Sequence, residues 1–407
     1  MQRSGISAVD VRFDGVPQAV SFEDCAPLLE MLPEVFPTWT FCQEERAPAA
    51  APVIRVRRIG DEYRMDAPWL EKSIFANTAV SVFSSIVVDL IYAWLAAHPA
   101  ALCLHSAAVA FNGRLVVFPN TNKVGKSLLV TRLMAENCLC FGDDLLALTP
   151  QLEGMSFGVP PRLRLPLPNS EKKVTDFVRA HGGRADCQTQ YLASDAPQLA
   201  AFGETRPIGA LVMLKRKTQG RADIVPADAA DSLRNMVYQN LMRRGSALDV
   251  IERSQRLTAE KPCWILRYAR LDDAVALLRS FFGDTDIGFA RSKEEKRTDV
   301  ETITPAPDSS RACPSRKRAS NKKFIRRPGV LVKTVQEEHF LVEEAGDAIF
   351  HLNTLGRAVW ELLAEPLSER DALECLSAVF PDVPRARIAS DLIALFTTLK
   401  KGLLTAL

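Results

Sequence analysis

The chain has 407 residues, 47% hydrophobic and 25% charged, with a formal net charge of +2. That length suggests two or three domains, and so small a net charge gives no electrostatic case for a nucleic-acid partner. Nine cysteines without paired Cys-x-x-Cys spacing point to reduced thiols, and Asp10, Asp14 and Glu23 interrupt any signal peptide, so a cytoplasmic protein is expected.

The first marked element is the apolar stretch Thr78 to Ala97. It approaches membrane-spanning length but contains Ser81, Ser84, Ser85 and Asp89, and it reads as a long buried helix with no membrane role. Leu102 to Phe111 follows, an apolar strand carrying His105 at its start, and Asn112-Gly113 is a turn signal. Arg114 to Phe118 is rich in β-formers, so the two runs predict a hairpin that returns His105 toward the end of the second strand. A lone histidine in such a place is more often structural than chemical.

The run Asn120, Thr121, Asn122, Lys123, Val124, Gly125, Lys126, Ser127 and Leu128 comes next, and Leu128 to Met134 has helical spacing. Strand, loop and helix together bring backbone N–H groups and a helix N-terminus to one point, which favours an anion. The phosphate-binding loop pattern is G-x-x-x-x-G-K-[ST]; Gly125-Lys126-Ser127 fits its end, whereas Asn120 stands where the first glycine belongs. Lys126 would place a charge at the β- and γ-phosphates, and Ser127 would offer a hydroxyl to Mg²⁺. One strand later Asp143 and Asp144 sit between apolar residues. Two adjacent buried acids are costly without partners; a metal ion suits one and a catalytic proton the other, while the plain alternative is a turn or a helix cap.

His105, the Asn112-Gly113 hairpin, Gly125-Lys126-Ser127 and Asp143-Asp144, in that order, resemble the HPr serine kinase/phosphorylase family, in its shorter HPr-kinase-related branch. The resemblance is firm over roughly residues 100–150 and diffuse over about 1–290. It implies an α/β core of the phosphoenolpyruvate-carboxykinase-like P-loop type, and an ATP- and Mg²⁺-dependent kinase acting on a serine hydroxyl. It implies catalytic roles for His105, Lys126, Asp143 and Asp144, with one aspartate as general base and the other at the metal. Ser127 and Asp144 are read as the metal-facing pair, though the residues themselves leave the division between the two aspartates open. The family's longer glutamate- and glycine-rich signature is not recognisable, so phosphorylase activity is not implied.

Arg162-Leu-Arg164 places two guanidinium groups on one face of an extended segment, where they would face substrate phosphate or line a solvated edge. Asn169 to Gly203 lacks clear periodicity and reads as a mobile flap. Ile208 to Lys215 predicts a core strand, and 228–242 and 271–283 predict helices. Residues 291–328 are rich in Lys and Arg and poor in apolar residues, and predict a solvated linker between a 1–290 domain and a 329–407 domain.

Val330 to Val335, His339 to Glu344 and Ala348 to Asn353 are three short alternating runs. Three amphipathic helices follow near 355–364, 368–380 and 385–400, the second opened by Ser368-Glu-Arg-Asp371. His351-Leu-Asn-Thr-Leu-Gly356, Val359-Trp360-Glu-Leu-Leu363 and Leu399-Lys-Lys-Gly402-Leu-Leu404 make this region similar to the PqqD-like family, a small winged-helix peptide-recognition element of ribosomal peptide-modifying systems. A sheet edge can accept an extended leader peptide as an added strand. The resemblance assigns that role to Ala348, Ile349, Phe350 and His351, with Arg387 and Asp391 on the last helix; Trp360 reads as core.

The combined expectation is a kinase that phosphorylates a serine or threonine of a precursor peptide held by its leader. Other maturation enzymes are further candidate partners, and a homo-oligomer is compatible. The alternatives are a catalytically weak nucleotide-binding scaffold, and a kinase of an HPr-like protein or a metabolite.

Overall fold

The computed structural model describes residues 8–45, 51–119, 125–193, 196, 198–240, 247–285, 287–290, 320–335, 338–343 and 349–407. The chain divides into two compact units, Met1–Arg244 with Val250–Ser292, and Lys293–Leu407 with Gly245–Asp249.

The first unit opens with β1 (Ala8–Phe13), β2 (Val20–Glu23), α1 (Ala26–Val35), β3 (Phe41–Glu45), β4 (Ile54–Ile59), β5 (Glu62–Asp66), β6 (Ile74–Ala76) and α2 (Ala79–Ala97). The strands form one sheet in the order β3-β1-β2-β4-β5-β6. Alternation decides its buried face: Val11, Phe13, Val20, Phe22, Ile54, Val56, Tyr63 and Met65 share one core with Leu28, Leu32, Phe83, Ile86 and Leu90 of the helices. The helix expected over Thr78–Ala97 is α2, capped by the Thr78 side chain, which accepts from the Ser81 N–H at 3.0 Å. Its buried Asp89 accepts a hydrogen bond from Trp69 Nε1 at 2.7 Å, which offsets the cost of a carboxylate among apolar neighbours.

β7 (Leu102–Leu104), β8 (Ala107–Phe111), β9 (Arg114–Phe118), α3 (Lys126–Met134), β10 (Cys140–Gly142), β11 (Leu146–Leu148) and β12 (Glu153–Met155) follow. β8 and β9 form the expected hairpin; Asn112 and Gly113 take φ of 47° and 75°, the paired left-handed turn that matches strand twist. The next elements are β13 (Arg162–Arg164), α4 (Lys172–His181), β14 (Gly182–Ala185), β15 (Thr189–Leu192), β16 (Thr205–Arg216), β17 (Asp223–Pro226), α5 (Ala229–Tyr238), α6 (Ala247–Glu260), β18 (Cys263–Tyr268) and α7 (Leu271–Leu278). The main sheet runs β10-β8-β9-β16-β12-β11-β7, with β18 on β16 and β17 on β18. β9, β16 and β18 are mutually parallel; β9 and the middle of β16 are continuously apolar and buried, as strands covered on both faces must be, while burial alternates along β18. Leu129, Val130, Leu133 and Met134 of α3 are fully buried against this sheet's core, each contributing about 1.5–3 kcal/mol. Buried Arg132 ties the last turn of the helix to Asp272 of α7 at 2.9 Å and to Glu136 at 2.7 Å.

The segment Asn169 to Gly203 differs from expectation. It holds α4 and the strands β14 and β15, which join β13 in a small sheet. Val174 and Val178, one helical turn apart, are buried in the main core, so a short amphipathic helix was hidden among polar residues.

The second unit contains β19 (Lys323–Arg326), β20 (Val330–Val335), β21 (Glu338–Glu343), β22 (Ile349–Leu352), α8 (Thr354–Leu362), β23 (Leu367–Ser368), α9 (Glu369–Val379), α10 (Arg385–Leu399) and β24 (Leu404–Ala406). The three expected strands form the sheet β20-β21-β22, and the three expected helices follow. Asn353 caps α8, and Ser368 with Asp371 forms a capping box on α9. Trp360 is 2% exposed and belongs to the core.

The linker boundary is corrected at its end: Lys323–Arg326 is a strand paired with β23 and β24. Phe324 is buried in the core beside Phe396, and Arg326 Nε donates to the Trp360 carbonyl at 2.7 Å. Charged neighbours masked one apolar residue whose burial decides the fold. A fragment of residues 320–407 is therefore expected to unfold cooperatively in urea. One of residues 329–407 should lose about 3–5 kcal/mol, the scale of deleting a buried phenylalanine. Equal midpoints for the two fragments by far-UV circular dichroism would show that β19 adds nothing.

Candidate functional site

α3 starts at Gly125, which caps it with φ of 91°, a backbone state that strains any residue with a Cβ. Asn120, Thr121, Asn122, Lys123 and Val124 lie outside the described residues. The loop therefore enters the site geometry only through Gly125, Lys126, Ser127 and Leu128.

Around this helix start the fold gathers residues far apart in sequence. β8 pairs with β10, which brings Asp143 and Asp144 beside the turn holding His105. Lys126 is 5% exposed, and its ammonium donates to the His105 carbonyl at 3.2 Å. His105 Nε2 lies 3.3 Å from Asp144 Oδ1. Asp143, 7% exposed, accepts from the Arg162 backbone N–H at 3.1 Å and from the Ser127 hydroxyl. Of the residues singled out in sequence, His105, Lys126, Ser127, Asp143, Asp144 and Arg162 come together. Arg164 is exposed.

The two aspartates occupy different environments. Burial, then the neighbouring charge of Asp144, pushes the Asp143 carboxyl up to about 7, against its hydrogen bonds from Arg162 and Ser127. Burial acts on Asp144 in the same direction, but the hydrogen bond and charge of His105, with the charges of Lys126 and Arg162, outweigh it and hold Asp144 below its ordinary value. Burial lowers the Lys126 pKa, opposed by Asp144 and Asp143. Asp144 keeps 39% of its side chain exposed, so it is ionised and reachable, whereas Asp143 is enclosed.

Ser127 and Asp144 are the pair expected to face a metal, with the division between the two aspartates open; the Ser127 hydroxyl meets Asp143. The strand β10 ends at Gly142, so the pair lies in a bend, whose side-chain directions a linear motif does not reveal. A carboxyl held near its proton by burial, bonded to a hydroxyl at a helix start, suits a divalent cation, which would displace that proton. Among the described residues no group of three or more His, Cys, Asp or Glu side chains forms a metal site by itself. A cation here would take Ser127 and Asp143 from the protein and need further oxygens from a ligand. Cys138 and Cys140 are packed in or against the core, as expected.

Two residues at this place escaped sequence reading. Arg216 and Tyr268 are register partners at the carboxyl ends of β16 and β18, the end from which the loop leaves β9. The predicted core strand stopped at Lys215, one residue short. Nothing in a local motif marks the last residue of a neighbouring parallel strand.

On the second unit, β22 carries Ile349, Phe350 and His351 at one end of its sheet. Ala348 lies outside the described residues. Phe350 and Leu395 pack against the domain core, while Arg385, Arg387, Ser390 and Asp391 are exposed on α10. His351 Nε2 contacts the Glu338 carboxylate across the sheet, so its ring is committed to the fold.

The Asp143 environment sets a pH dependence. Its folded pKa of about 7 lies above an unfolded value of about 3.9, so its contribution to stability is fully present below about pH 4 and is lost as pH rises through about 7. Asp143→Asn removes that ionisation. Relative to the parent, the variant should gain on the order of 2–4 kcal/mol between pH 4 and 8 in metal-free denaturation series. A difference independent of pH would contradict this electrostatic reading.

No curated protein sequence matches the chain. Residues 338–404 match the family described as Coenzyme PQQ synthesis protein D (PqqD), so the protein is a mixed α/β chain carrying a PqqD domain at its C-terminal end, a domain type that points to a peptide partner.

Proposed function

We propose that this protein is a kinase that uses ATP and Mg²⁺ to phosphorylate a serine or threonine of a precursor peptide, and that its PqqD domain recruits the peptide by its leader. The observation that carries the reading is the convergence of Lys126, Ser127, Asp143, Asp144 and His105 at the start of α3. The HPr-kinase-like resemblance of the first unit and the PqqD match of the second support the two halves separately.

When bound, Mg²⁺-ATP supplies the transferable phosphoryl group. Backbone N–H groups at the α3 start and the Lys126 ammonium hold its phosphates. Ser127 and Asp143 would hold the metal. Asp144 takes the proton of the substrate hydroxyl as that oxygen bonds to the γ-phosphorus and the bond to the ADP oxygen breaks. His105 orients Asp144 and keeps it ionised. Low exposure at Lys126 and Asp143 strengthens each of these interactions relative to water.

Recruitment rests on β22, the outer strand of its sheet among the described residues. An extended leader would add backbone hydrogen bonds there, with Ile349 and Phe350 offering apolar contacts and Arg387 and Asp391 charged ones. Tethering then raises the local concentration of the modifiable hydroxyl. Asn120 in place of glycine favours one second reading, a nucleotide-binding scaffold within a peptide-modifying complex.

Lys126→Ala should weaken ATP binding at least tenfold and abolish transfer, whereas Asp144→Asn should leave binding within a few-fold and lower turnover by about 10²–10⁴. Calorimetry with ATP and Mg²⁺, alongside phosphate transfer, separates these outcomes. Unchanged ATP affinity in Lys126→Ala refutes the phosphate loop; binding without transfer in the parent protein favours the scaffold. A fragment of residues 1–290 should bind ATP like the intact chain but need a higher concentration of full precursor to reach the same rate. Identical concentration dependence would remove the PqqD domain from substrate recruitment.

A further inference from the structure

We infer that Arg216 is a second cation of the phosphate site, presenting the Nε/Nη2 edge of its guanidinium to the nucleotide phosphates beside Gly125. The inference rests on the nucleotide reading above and extends it to a residue outside the loop and the acidic pair.

The placement comes from the sheet. β9, β16 and β18 run parallel, with Leu211 in register with Val117 and Arg216 with Tyr268. Their carboxyl ends therefore lie side by side, and in open α/β sheets that end is where ligands bind. Arg216 is the last residue of β16, so its side chain emerges next to the start of α3.

The orientation is specific. A Cβ built on Gly125 would lie 3.6 Å from Arg216 Nη2, 3.8 Å from Nε and 3.7 Å from the Tyr268 hydroxyl. These two nitrogens form the edge that grips carboxylate or phosphate with parallel hydrogen bonds. The rest of the group is occupied: Nη1 donates to the Ala269 carbonyl at 3.3 Å, and the guanidinium carbon stands 4.7 Å from the Tyr268 ring centroid. Tyr268 is fully buried, so it forms a fixed platform. Among the described residues no carboxylate pairs with Arg216. A charged fork held on one face and at one end, with its other edge toward a helix start that already favours anions, is organised for a phosphate before any arrives. Tyr268 is a positioning residue in this arrangement, because it acts through Arg216.

The test is calorimetric titration of the full chain with ATP and, separately, with inorganic tripolyphosphate, for the parent, Lys126→Ala, Arg216→Ala and Arg216→Lys. Arg216 is exposed, so both of its variants should keep the parent's circular dichroism spectrum. Arg216→Ala should weaken ATP and tripolyphosphate alike, about ten- to a hundred-fold, the scale of charge-assisted hydrogen bonding. Arg216→Lys should regain only part of that loss, since a point charge cannot reproduce the fork. If Lys126→Ala weakens ATP while Arg216→Ala binds like the parent, this inference fails and the phosphate loop stands. If Arg216→Ala weakens ATP but not tripolyphosphate, the contact is to the base or ribose and the inference is overturned. If the parent binds neither probe, the nucleotide reading fails, and this inference with it.

Discussion

Two adjacent carboxylates cannot both ionise in a partly dry interior unless positive charge is close at hand. In this chain the buried Lys126, His105 and the Arg162 backbone N–H lie beside the pair, enough to keep Asp144 ionised while Asp143 leans toward its proton. Much of the first unit serves that meeting. The hairpin turn at Asn112-Gly113 sets β8 beside β9, β10 pairs on β8, and Arg132 locks α3 against Asp272. Together they bring His105, Lys126, Ser127, Asp143, Asp144 and Arg162, from four separate segments, to one place. The two aspartates then divide: Asp143 is enclosed and leans toward its proton, while Asp144 is partly exposed, paired and ionised. Such divergence between neighbouring acids is what metal binding and proton abstraction ask of a pair.

Periodicity and turn chemistry made the elements of both units readable. β9 and α3 follow from an apolar run and helical spacing, and the caps at Asn353 and Ser368 mark the starts of α8 and α9. What escaped did so for physical reasons. Phe324 is a single apolar residue in a basic stretch, and its burial appears only once β23 and β24 pair with β19. α4 hides because only Val174 and Val178 are fully buried. The meeting of Ser127 with Asp143 depends on how β10 ends, and Arg216 reaches the site only because β16 lies parallel to β9. Non-local pairing hid Phe324, Arg216 and the meeting of Ser127 with Asp143, whereas α4 was hidden by a weak local pattern.

The two units suggest a division of labour. One holds a charged cluster at the ends of parallel strands, and the other a three-stranded sheet with β22 at its edge. A sheet edge is a general means of holding an extended peptide, and it needs little sequence beyond the backbone. A nucleotide site, by contrast, needs particular residues at fixed places. On the proposed reading, joining the two on one chain would let recognition of a leader and chemistry on a hydroxyl be selected independently.

The most direct measurement is mass spectrometry of a precursor peptide incubated with the intact protein, ATP and Mg²⁺, with fragmentation to locate any added phosphate. The account predicts a single phosphate on a serine or threonine of the peptide, present with the parent protein and missing with Lys126→Ala. A peptide that stays unmodified while the parent protein binds both ATP and the leader would contradict it.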